Sequence, residues 1–327
     1  MHLIAEAGTN HNADPRRAER LIDAAVASGA DSVKFQVIYP EGLYLPRFWR
    51  DGSYEDNAVF ATRAAGMLSD DDYRALAGYA REKGIPMTAS VFDVRGIRLL
   101  QEIDAPFIKL ASVDLNDSPL IKEAAATGKK VILSTGMASL GEVERAVTDF
   151  LSTGNSDLVL MHCVSAYPCP LEGMNLGFLD VLRTFGLPIG LSDHTESSVA
   201  AGIAILKGVT WIEKHFTLNR KDEGFDHAYA MEPEMLTAYA NDVRAAEYSI
   251  QPCLPKVQGA EAETKIRARR GLYAARDLKA GETLSAEDVL IVRPEGRLKP
   301  NDVYTIAGMT LTRDVHQYEE LSWDQLR

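Results

Sequence analysis

Two histidines, His194 and His215, end two short apolar segments of the sequence. Residues 196–207 between them are rich in Ala, Ile and Leu at helical spacing, which predicts a helix. A strand, a helix and a strand in one sheet form neighbouring parallel strands, whose carboxyl ends lie at the same edge. Two neutral imidazoles at that edge could bind a divalent metal. Spacing alone favours two unrelated histidines, whereas three charged residues at the same rim favour a site: Asp193, Glu213 and Lys214.

The same alternation of apolar segments and helical patterns runs through most of the chain. The predicted strands are residues 3–8, 32–37, 86–91, 107–112, 131–136, 158–165, 188–194 and 211–216. Helical patterns between and after them cover residues 14–28, 70–83, 118–127, 139–151, 176–184 and 233–249. Short, continuously apolar strands that alternate with helices are typical of a parallel sheet covered on its faces.

Eight such units within about 250 residues predict an α/β protein of the (β/α)8 barrel class. The alternative is an open, doubly wound sheet. No Gly-x-Gly-x-x-Gly motif follows the first predicted strand, so the sequence does not support a dinucleotide-binding fold.

Polar residues end almost every predicted strand, where the chemistry of such barrels is located. They include Glu6, Lys34, Gln36, Ser90, Lys109, Ser112, Ser134, Ser165, Tyr167 and Ser192. A lysine inside an apolar strand needs an anionic partner, which for Lys34 and Lys109 could be Glu6 or Glu213. The other interpretation is a clamp for a phosphate and a carboxylate, completed by serine hydroxyls. The convergence of many donors favours the clamp.

Two long connections and a small C-terminal region complete the chain. Residues 39–67 carry Tyr44, Phe48, Trp49 and Tyr54, and predict either a lid or a surface loop held down by these aromatic side chains. A second insertion, residues 218–232, carries Asp222, Asp226 and His227. We predict a catalytic barrel over residues 1–250, a linker over 251–269 and a small β-rich domain over 270–327.

Composition limits the partners and the location. The formal net charge of −12 argues against nucleic acid and anionic membranes as partners. No apolar run is long enough to span a bilayer, and the N-terminal segment lacks the basic region of a signal peptide. Cys163, Cys169 and Cys253 lack metal or disulfide spacing. We therefore expect a cytoplasmic location.

Seven motifs in series resemble the sialic acid synthase family, which includes N-acetylneuraminate, legionaminate and pseudaminate synthases and spore-coat polysaccharide relatives. The motifs are IAEAGTNH (4–11), VKFQ (33–36), FIKLAS (107–112), LSTGM (133–137), HCVSAYP (162–168), GLSDHT (190–195) and EKHFT (213–217). The segments YAARDLKAGE (273–282) and VRP (292–294) resemble the antifreeze-like (SAF) domain that ends these synthases.

The resemblance implies a condensation of phosphoenolpyruvate with the aldehyde of an open-chain N-acylated amino sugar, such as N-acetylmannosamine. Water enters at C2 and phosphate leaves, which gives a nine-carbon 2-keto acid. It also implies a homodimer in which the C-terminal domain of each subunit caps the barrel of the other.

The resemblance further implies a role for each site residue. His194 and His215 would bind Mn²⁺, with Mg²⁺ or Co²⁺ as alternatives, and would act with Glu6 and Glu213 as the catalytic set. The phosphoenolpyruvate-binding residues would be Lys34, Lys109, Ser112, Ser134, Ser165, Tyr167 and Ser192. The sugar-binding residues would be Gln36, Asp226 and Arg293.

Two other functions remain open at this point. One is a different barrel aldolase that uses phosphoenolpyruvate or a sugar phosphate, for which Lys109 or Lys214 would form a Schiff base. The other is a non-catalytic protein of polysaccharide assembly that kept the fold, against which the intact set of two glutamates and two histidines argues.

Overall fold

The computed structural model describes residues 1–251, 257 and 259–327. Contacts between Cα atoms divide the chain into two compact units, Met1–Gln251 and Pro252–Arg327. The predicted linker crosses this division, and its residues 252–256 and 258, Cys253 among them, lie outside the described residues. The later part of the predicted linker, Gly259–Ala268, is an α-helix. A helix rises only about 1.5 Å per residue, so this part reaches less far than an extended chain would.

The first unit is a closed barrel of parallel strands. The strands of the chain are β1 His2–Gly8, β2 Ser32–Val37, β3 Arg47–Arg50, β4 Ser53–Asp56, β5 Met87–Val91, β6 Phe107–Leu110, β7 Lys130–Ser134, β8 Leu158–Cys163, β9 Ile189–Asp193, β10 Trp211–His215, β11 Gly271–Ala274 and β12 Val289–Val292. Around the barrel the order is β1-β10-β9-β8-β7-β6-β5-β2. The predicted (β/α)8 barrel is therefore confirmed, and the open sheet is excluded.

Most helices of the chain follow the barrel strands and cover them, whereas the last two belong to the second unit. The helices are α1 Pro15–Ala27, α2 Pro40–Leu43, α3 Ala58–Ala65, α4 Asp70–Glu82, α5 Val94–Glu102, α6 Ser118–Ala126, α7 Leu140–Leu151, α8 Phe178–Arg183, α9 Val199–Leu206, α10 Pro233–Ser249, α11 Gly259–Ala268 and α12 Val303–Ile306. Several begin at clear local signals. Asp14 accepts a hydrogen bond from the N–H of Arg16 before α1, and Ser69 and Ser139 form capping boxes before α4 and α7.

Side chains alternate between the inside and the outside of the barrel, as the pleat of a strand requires. Toward the amino ends of the strands the interior is filled by a small apolar cluster: Ile4, Phe107, Ile132, Val159 and Met161. The outer faces pack against the helices in the main core. The barrel is therefore closed below by packed side chains, and its polar inward-facing residues lie above them at the carboxyl ends.

The long connection after β2 contains α2, the antiparallel hairpin β3–β4 and α3. Trp49 and Tyr54 lie opposite each other in the hairpin, and 64% and 67% of their surfaces are exposed. These two aromatic residues therefore do not hold the insertion against the core.

The second unit pairs β11 with β12 in an antiparallel ribbon and has its own apolar cluster, which includes Leu272, Leu298 and Leu321.

In the described part of the chain, no helix is long and apolar enough to cross a membrane.

Candidate active site

A cavity of about 720 Å³ opens at the carboxyl ends of the barrel strands. The structure brings together around it every predicted site residue of the first unit: Glu6, Lys34, Gln36, Lys109, Ser112, Ser134, Ser165, Tyr167, Ser192, His194, Glu213, His215 and Asp226. Arg293 belongs to the second unit, where it directly follows β12 and is exposed.

The two predicted lysines lie side by side at the bottom of the cavity, and both are buried. Lys34 Nζ lies 2.6 Å from Glu6 Oε2 and 3.5 Å from Glu213 Oε2, and it donates to Ser90 Oγ at 2.7 Å. Lys109 Nζ donates to Ser134 Oγ at 2.6 Å and lies 3.8 Å from Glu213 Oε2. The internal ion pairs considered for these lysines are thus present. Both ammonium groups nevertheless line the cavity, where a bound anion can reach them.

The two glutamates have opposite electrostatic environments. Burial raises the pKa of Glu6, and the neighbouring charge of Glu213 adds to the rise, while Lys34 offsets only part of it. For Glu213, burial alone would raise the pKa, but Lys109 and Lys34 outweigh burial and lower it. Burial also lowers the pKa of Lys109. The cavity therefore holds one carboxyl group that keeps a proton readily and one that is ionised, a pattern common where acid and base chemistry occur together.

The hydrogen bonds of His194 fix its tautomer. Its Nδ1 lies 2.7 Å from the carbonyl oxygen of Val164 and must donate the proton there, which leaves a lone pair on Nε2. Ser192 Oγ lies 3.2 Å from that Nε2, but it donates its proton to Glu213 Oε1 at 2.9 Å. The lone pair of Nε2 therefore remains available to a ligand.

His215 lies beside His194, with 5.4 Å between the ring centroids. Burial lowers the pKa of His215 to about 4, so the ring is neutral at pH 7. Its Nδ1 is buried and has no hydrogen-bond partner among the described residues. Two adjacent neutral imidazoles with an available lone pair suit a divalent metal. In the described part of the chain, no set of three or more His, Cys, Asp and Glu side chains is arranged to hold a metal ion.

Asp193 and Lys214 do not lie on the cavity rim, so the prediction that placed them there was wrong. They point to the outer faces of β9 and β10, where Lys214 Nζ lies 3.2 Å from Asp193 Oδ2. Asp193 also accepts a hydrogen bond of 2.7 Å from Tyr239 on α10. Alternation along a strand is the cause, since His194 and His215 face inward and their preceding residues must face outward. A Schiff base at Lys214 would therefore lack access to the cavity.

Small polar groups converge where β6, β7 and β8 end. Ser112 Oγ accepts a hydrogen bond of 3.0 Å from the N–H of Gly136 and lies 3.0 Å from Cys163 Sγ. A Cβ atom on Gly136 would come within 2.7 Å of both Cys163 Sγ and Ser165 Oγ. Only glycine fits here, so these donors can surround a small anionic group closely.

The other side of the cavity carries groups suited to a polyhydroxylated substrate. Gln36 Nε2 donates to Glu6 Oε1 at 3.1 Å, and Tyr229 donates to Asp226 Oδ1 at 2.6 Å. The ring of Tyr167 lies against His194, with 4.3 Å between centroids. Hydrogen-bonding groups beside aromatic faces are typical of small-molecule sites that fix one orientation of the ligand.

Some residues of the cavity were not predicted from the sequence: Tyr44, Arg63, Met137, Phe225 and Tyr229. Tyr44 was noted only as part of a possible lid. Arg63 and Phe225 come from the two insertions, and no spacing in the sequence indicates which residues of an insertion turn toward a barrel. Tyr229 follows Asp226 closely, and that proximity is the one signal that could have indicated it.

Residues 21–252 match the model of the NeuB family, and residues 269–327 match that of the SAF domain. The chain belongs to the NeuB family. The family resemblance expected from the motifs, including the terminal SAF domain, is confirmed.

Relatives of this NeuB-family chain align with it over almost its full length. A protein of Methanocaldococcus jannaschii, described as uncharacterized, is 33% identical and aligns over 99% of this chain and 94% of its own. The N,N'-diacetyllegionaminic acid synthase of Legionella pneumophila is 32% identical over 99% of this chain and 94% of its own.

A solved structure agrees with these relatives. The N-acetylneuraminic acid synthetase of Leptospira borgpetersenii is 32% identical, with a TM-score of 0.70, over 80% of this chain and 89% of that one. The expectation that the chain is an enzyme is confirmed by such relatives.

Proposed function

We propose that this NeuB-family enzyme is a synthase that condenses phosphoenolpyruvate with an open-chain N-acylated amino sugar. One observation carries the proposal: two buried lysines, two glutamates of opposite pKa shift and a histidine pair line a single cavity. Synthases of nine-carbon sugar acids are among the relatives. An enol phosphate that reacts with an aldehyde needs cations, an electrophile and groups that move protons, and this cavity offers residues for each need.

Lys34 and Lys109 would bind the phosphate and carboxylate groups of phosphoenolpyruvate. Each ammonium already bonds a serine hydroxyl, at 2.7 Å for Ser90 and 2.6 Å for Ser134, so its position is fixed before substrate arrives. The glycine-lined space around Ser112 and Ser165 would take the remaining oxygens of the anion, with Ser192 and Tyr167 beside it. Charge-assisted bonds of this kind are stronger than those between neutral groups.

The glutamates would divide the proton transfers. As C3 of phosphoenolpyruvate bonds to the aldehyde carbon, the aldehyde oxygen must gain a proton, and Glu6 is suited to donate it because its pKa is raised. Water that adds at C2 must lose a proton, and Glu213 is suited to accept it because it is ionised. The C2 hydroxyl then loses its remaining proton as its C=O bond forms and the C2–O bond to phosphate breaks. The leaving phosphate takes up that proton, and transfer of a proton from Glu213 back to Glu6 restores both carboxyl groups.

His194 and His215 would hold a divalent cation, most simply Mn²⁺, through the lone pairs that their neutral rings keep available. A metal bound there would polarise the sugar aldehyde as a Lewis acid. In the described residues no third His, Cys, Asp or Glu side chain forms a metal-binding set with the pair, so substrate or water would supply further ligands.

We further propose that the enzyme works as a homodimer in which the C-terminal unit of one subunit caps the barrel of its partner. Tyr167 lines the cavity and is 49% exposed, so solvent reaches the site within a single barrel. A cap would exclude water from a reactive intermediate. Arg293 is exposed, and a guanidinium suits polar sugar and carboxylate groups.

Mixing two inactive variants tests this assembly. His215→Ala and Arg293→Ala subunits should regain activity after subunit exchange, because one mixed site then carries both wild-type residues. A monomeric enzyme, or full turnover after removal of everything beyond Ile250, would contradict the swapped cap.

Release of phosphate from phosphoenolpyruvate tests the function itself. The purified enzyme with Mn²⁺ should release phosphate only when an acylated amino sugar is present. The sugars tested should include N-acetylmannosamine and 2,4-diacetamido-2,4,6-trideoxy sugars. A Glu213→Gln variant should be inactive, whereas a variant of Lys207, a partly exposed lysine that pairs with Asp180, should be unaffected. Phosphate release that ignores every sugar would contradict the proposal.

The second candidate is an aldolase that forms a Schiff base at Lys109. It is favoured by one observation, namely that burial lowers the pKa of this cavity lysine and so eases loss of its proton. Borohydride added during turnover would then attach substrate covalently to Lys109, and mass spectrometry of the digested protein would detect the adduct. The condensation predicts no adduct.

A further inference from the structure

Arg63 brings a positive charge to the cavity from outside the barrel sheet. It lies in α3, within the insertion after β2, and lines the cavity together with Phe225 from the second insertion. Its guanidinium carbon lies 3.6 Å from the centroid of the Phe225 ring, which is close stacking. The stacking fixes the plane of the guanidinium relative to the cavity.

This arginine differs from the other cations of the cavity in having no carboxylate partner among the described residues. Lys34 and Lys109 lie within ion-pair distance of glutamates. No ion pair joins Arg63 to another residue in the described ranges, 1–251, 257 and 259–327. One hydrogen bond of 3.3 Å runs from its Nη1 to Thr9 Oγ1, and its Nε is buried without a partner there. A buried donor without a partner is costly, so a ligand that accepts its hydrogen bond would remove the cost.

The geometry indicates which ligand that is. Contact with Phe225 occupies a face of the guanidinium and leaves the N–H groups at its edge available. That edge matches two oxygens of a phosphate or a carboxylate. Phe225 directly precedes Asp226, which lines the same cavity, so the anion would sit at the end of the cavity where the sugar is expected. The anionic groups of phosphoenolpyruvate already have Lys34 and Lys109.

We propose that Arg63 is a specificity-determining residue that binds an oxyanion on the sugar, so that the acceptor is an acylated amino sugar with a phosphate or a carboxylate at its far end. This inference rests on the proposed synthase function. It excludes a 6-deoxy sugar without a charged group as the preferred acceptor.

Three matched acceptors test the proposal: N-acetylmannosamine, its 6-phosphate and N-acetylmannosaminuronic acid. We expect kcat/KM of the wild-type enzyme to be at least about tenfold higher for one of the two anionic sugars than for the neutral one. The phosphate and carboxylate arms identify which oxyanion is bound. The Arg63→Met variant should lose that preference by lowering kcat/KM for the anionic sugar alone, and Arg63→Lys should keep part of it.

Arg95 supplies a control, because its guanidinium also stacks on an aromatic ring, Tyr39, at 3.7 Å, but it pairs with Asp70 and does not line the cavity. Arg95→Met should leave the preference unchanged. Three results would each overturn the inference. They are an equal fall in kcat/KM with all sugars in Arg63→Met, a rise in the KM for phosphoenolpyruvate alone in that variant, and a preference of the wild-type enzyme for the neutral sugar. If none of these sugars, nor a 2,4-diacetamido-2,4,6-trideoxy sugar, supports phosphate release, the proposed function itself fails.

Discussion

Removal of the Lys109 charge gives the most quantitative test of the anion clamp. Lys109→Met keeps most of the side-chain volume, so the buried β6 strand should still pack. The variant loses the 2.6 Å bond to Ser134 and the ammonium 3.8 Å from Glu213. Lys34, 3.5 Å from Glu213, would be the cation left beside that carboxylate.

The expected fall in kcat/KM follows from the burial of the Lys109 ammonium. Loss of one partner of a buried charge-assisted contact costs on the order of 2–5 kcal/mol. Since about 1.4 kcal/mol corresponds to a tenfold change in rate or affinity, kcat/KM for phosphoenolpyruvate should fall at least about 30-fold. The pKa of Glu213 should also rise, because Lys109 is the largest influence that lowers it.

Steady-state phosphate release at varied phosphoenolpyruvate concentration measures the effect. Lys130→Met is the matched control, because Lys130 starts the neighbouring strand β7 and its ammonium pairs with Asp157 in a partly exposed position. That variant should keep wild-type kinetics. If folded Lys109→Met retained kcat/KM within threefold of wild type, the lysine would be structural and the clamp would be refuted.

Three further predictions concern histidines and the outer ion pair. EDTA should abolish turnover, and Mn²⁺ should restore it in the wild-type enzyme but not in His215→Ala. Full activity of the metal-stripped enzyme would contradict the metal proposal. Lys214→Met leaves Asp193 buried without its cation and should lower the free energy of unfolding by about 3–5 kcal/mol. The variant should therefore have a lower Tm and an unchanged KM for phosphoenolpyruvate. An unchanged Tm with a raised KM would contradict the placement of Lys214 outside the cavity. Burial lowers the pKa of His11 to about 4 in the folded protein, so the unfolded chain binds its proton first as the pH falls below about 6.5. The free energy of unfolding should therefore decline between pH 6.5 and 4, and less so in His11→Asn, as urea titrations at pH 7 and pH 5 would show; an identical decline in both proteins would rule out His11 as the cause.

The barrel could be predicted because its strands are continuously apolar and most of them end in polar residues. Predicted and observed strand boundaries differ by at most two residues, as for residues 188–194 against β9 at Ile189–Asp193. The inward-facing site residues followed from those boundaries, because residues at the carboxyl ends of the strands share one rim. The helix α5 was not singled out, although Asp93 caps it through the N–H of Gly96.

What escaped prediction depends on the direction of side chains and on insertions. Asp193 and Lys214 adjoin the histidines in sequence, but a period of two places them on the outer face. Arg63 and Phe225 reach the cavity through insertions whose course local patterns do not specify. The opposite pKa shifts of Glu6 and Glu213 arise from distances to Lys34 and Lys109 across four strands, which only the closed barrel sets.

The origin of the oxygen in the released phosphate tests the central claim most directly. The enzyme should be incubated with phosphoenolpyruvate, Mn²⁺ and the acylated amino sugar that supports the fastest turnover, in water enriched in oxygen-18. If water adds at C2 and the C–O bond breaks, mass spectrometry will find released phosphate without the label, together with one equivalent of a nine-carbon 2-keto acid. Labelled phosphate, or phosphate without that acid, would contradict the account.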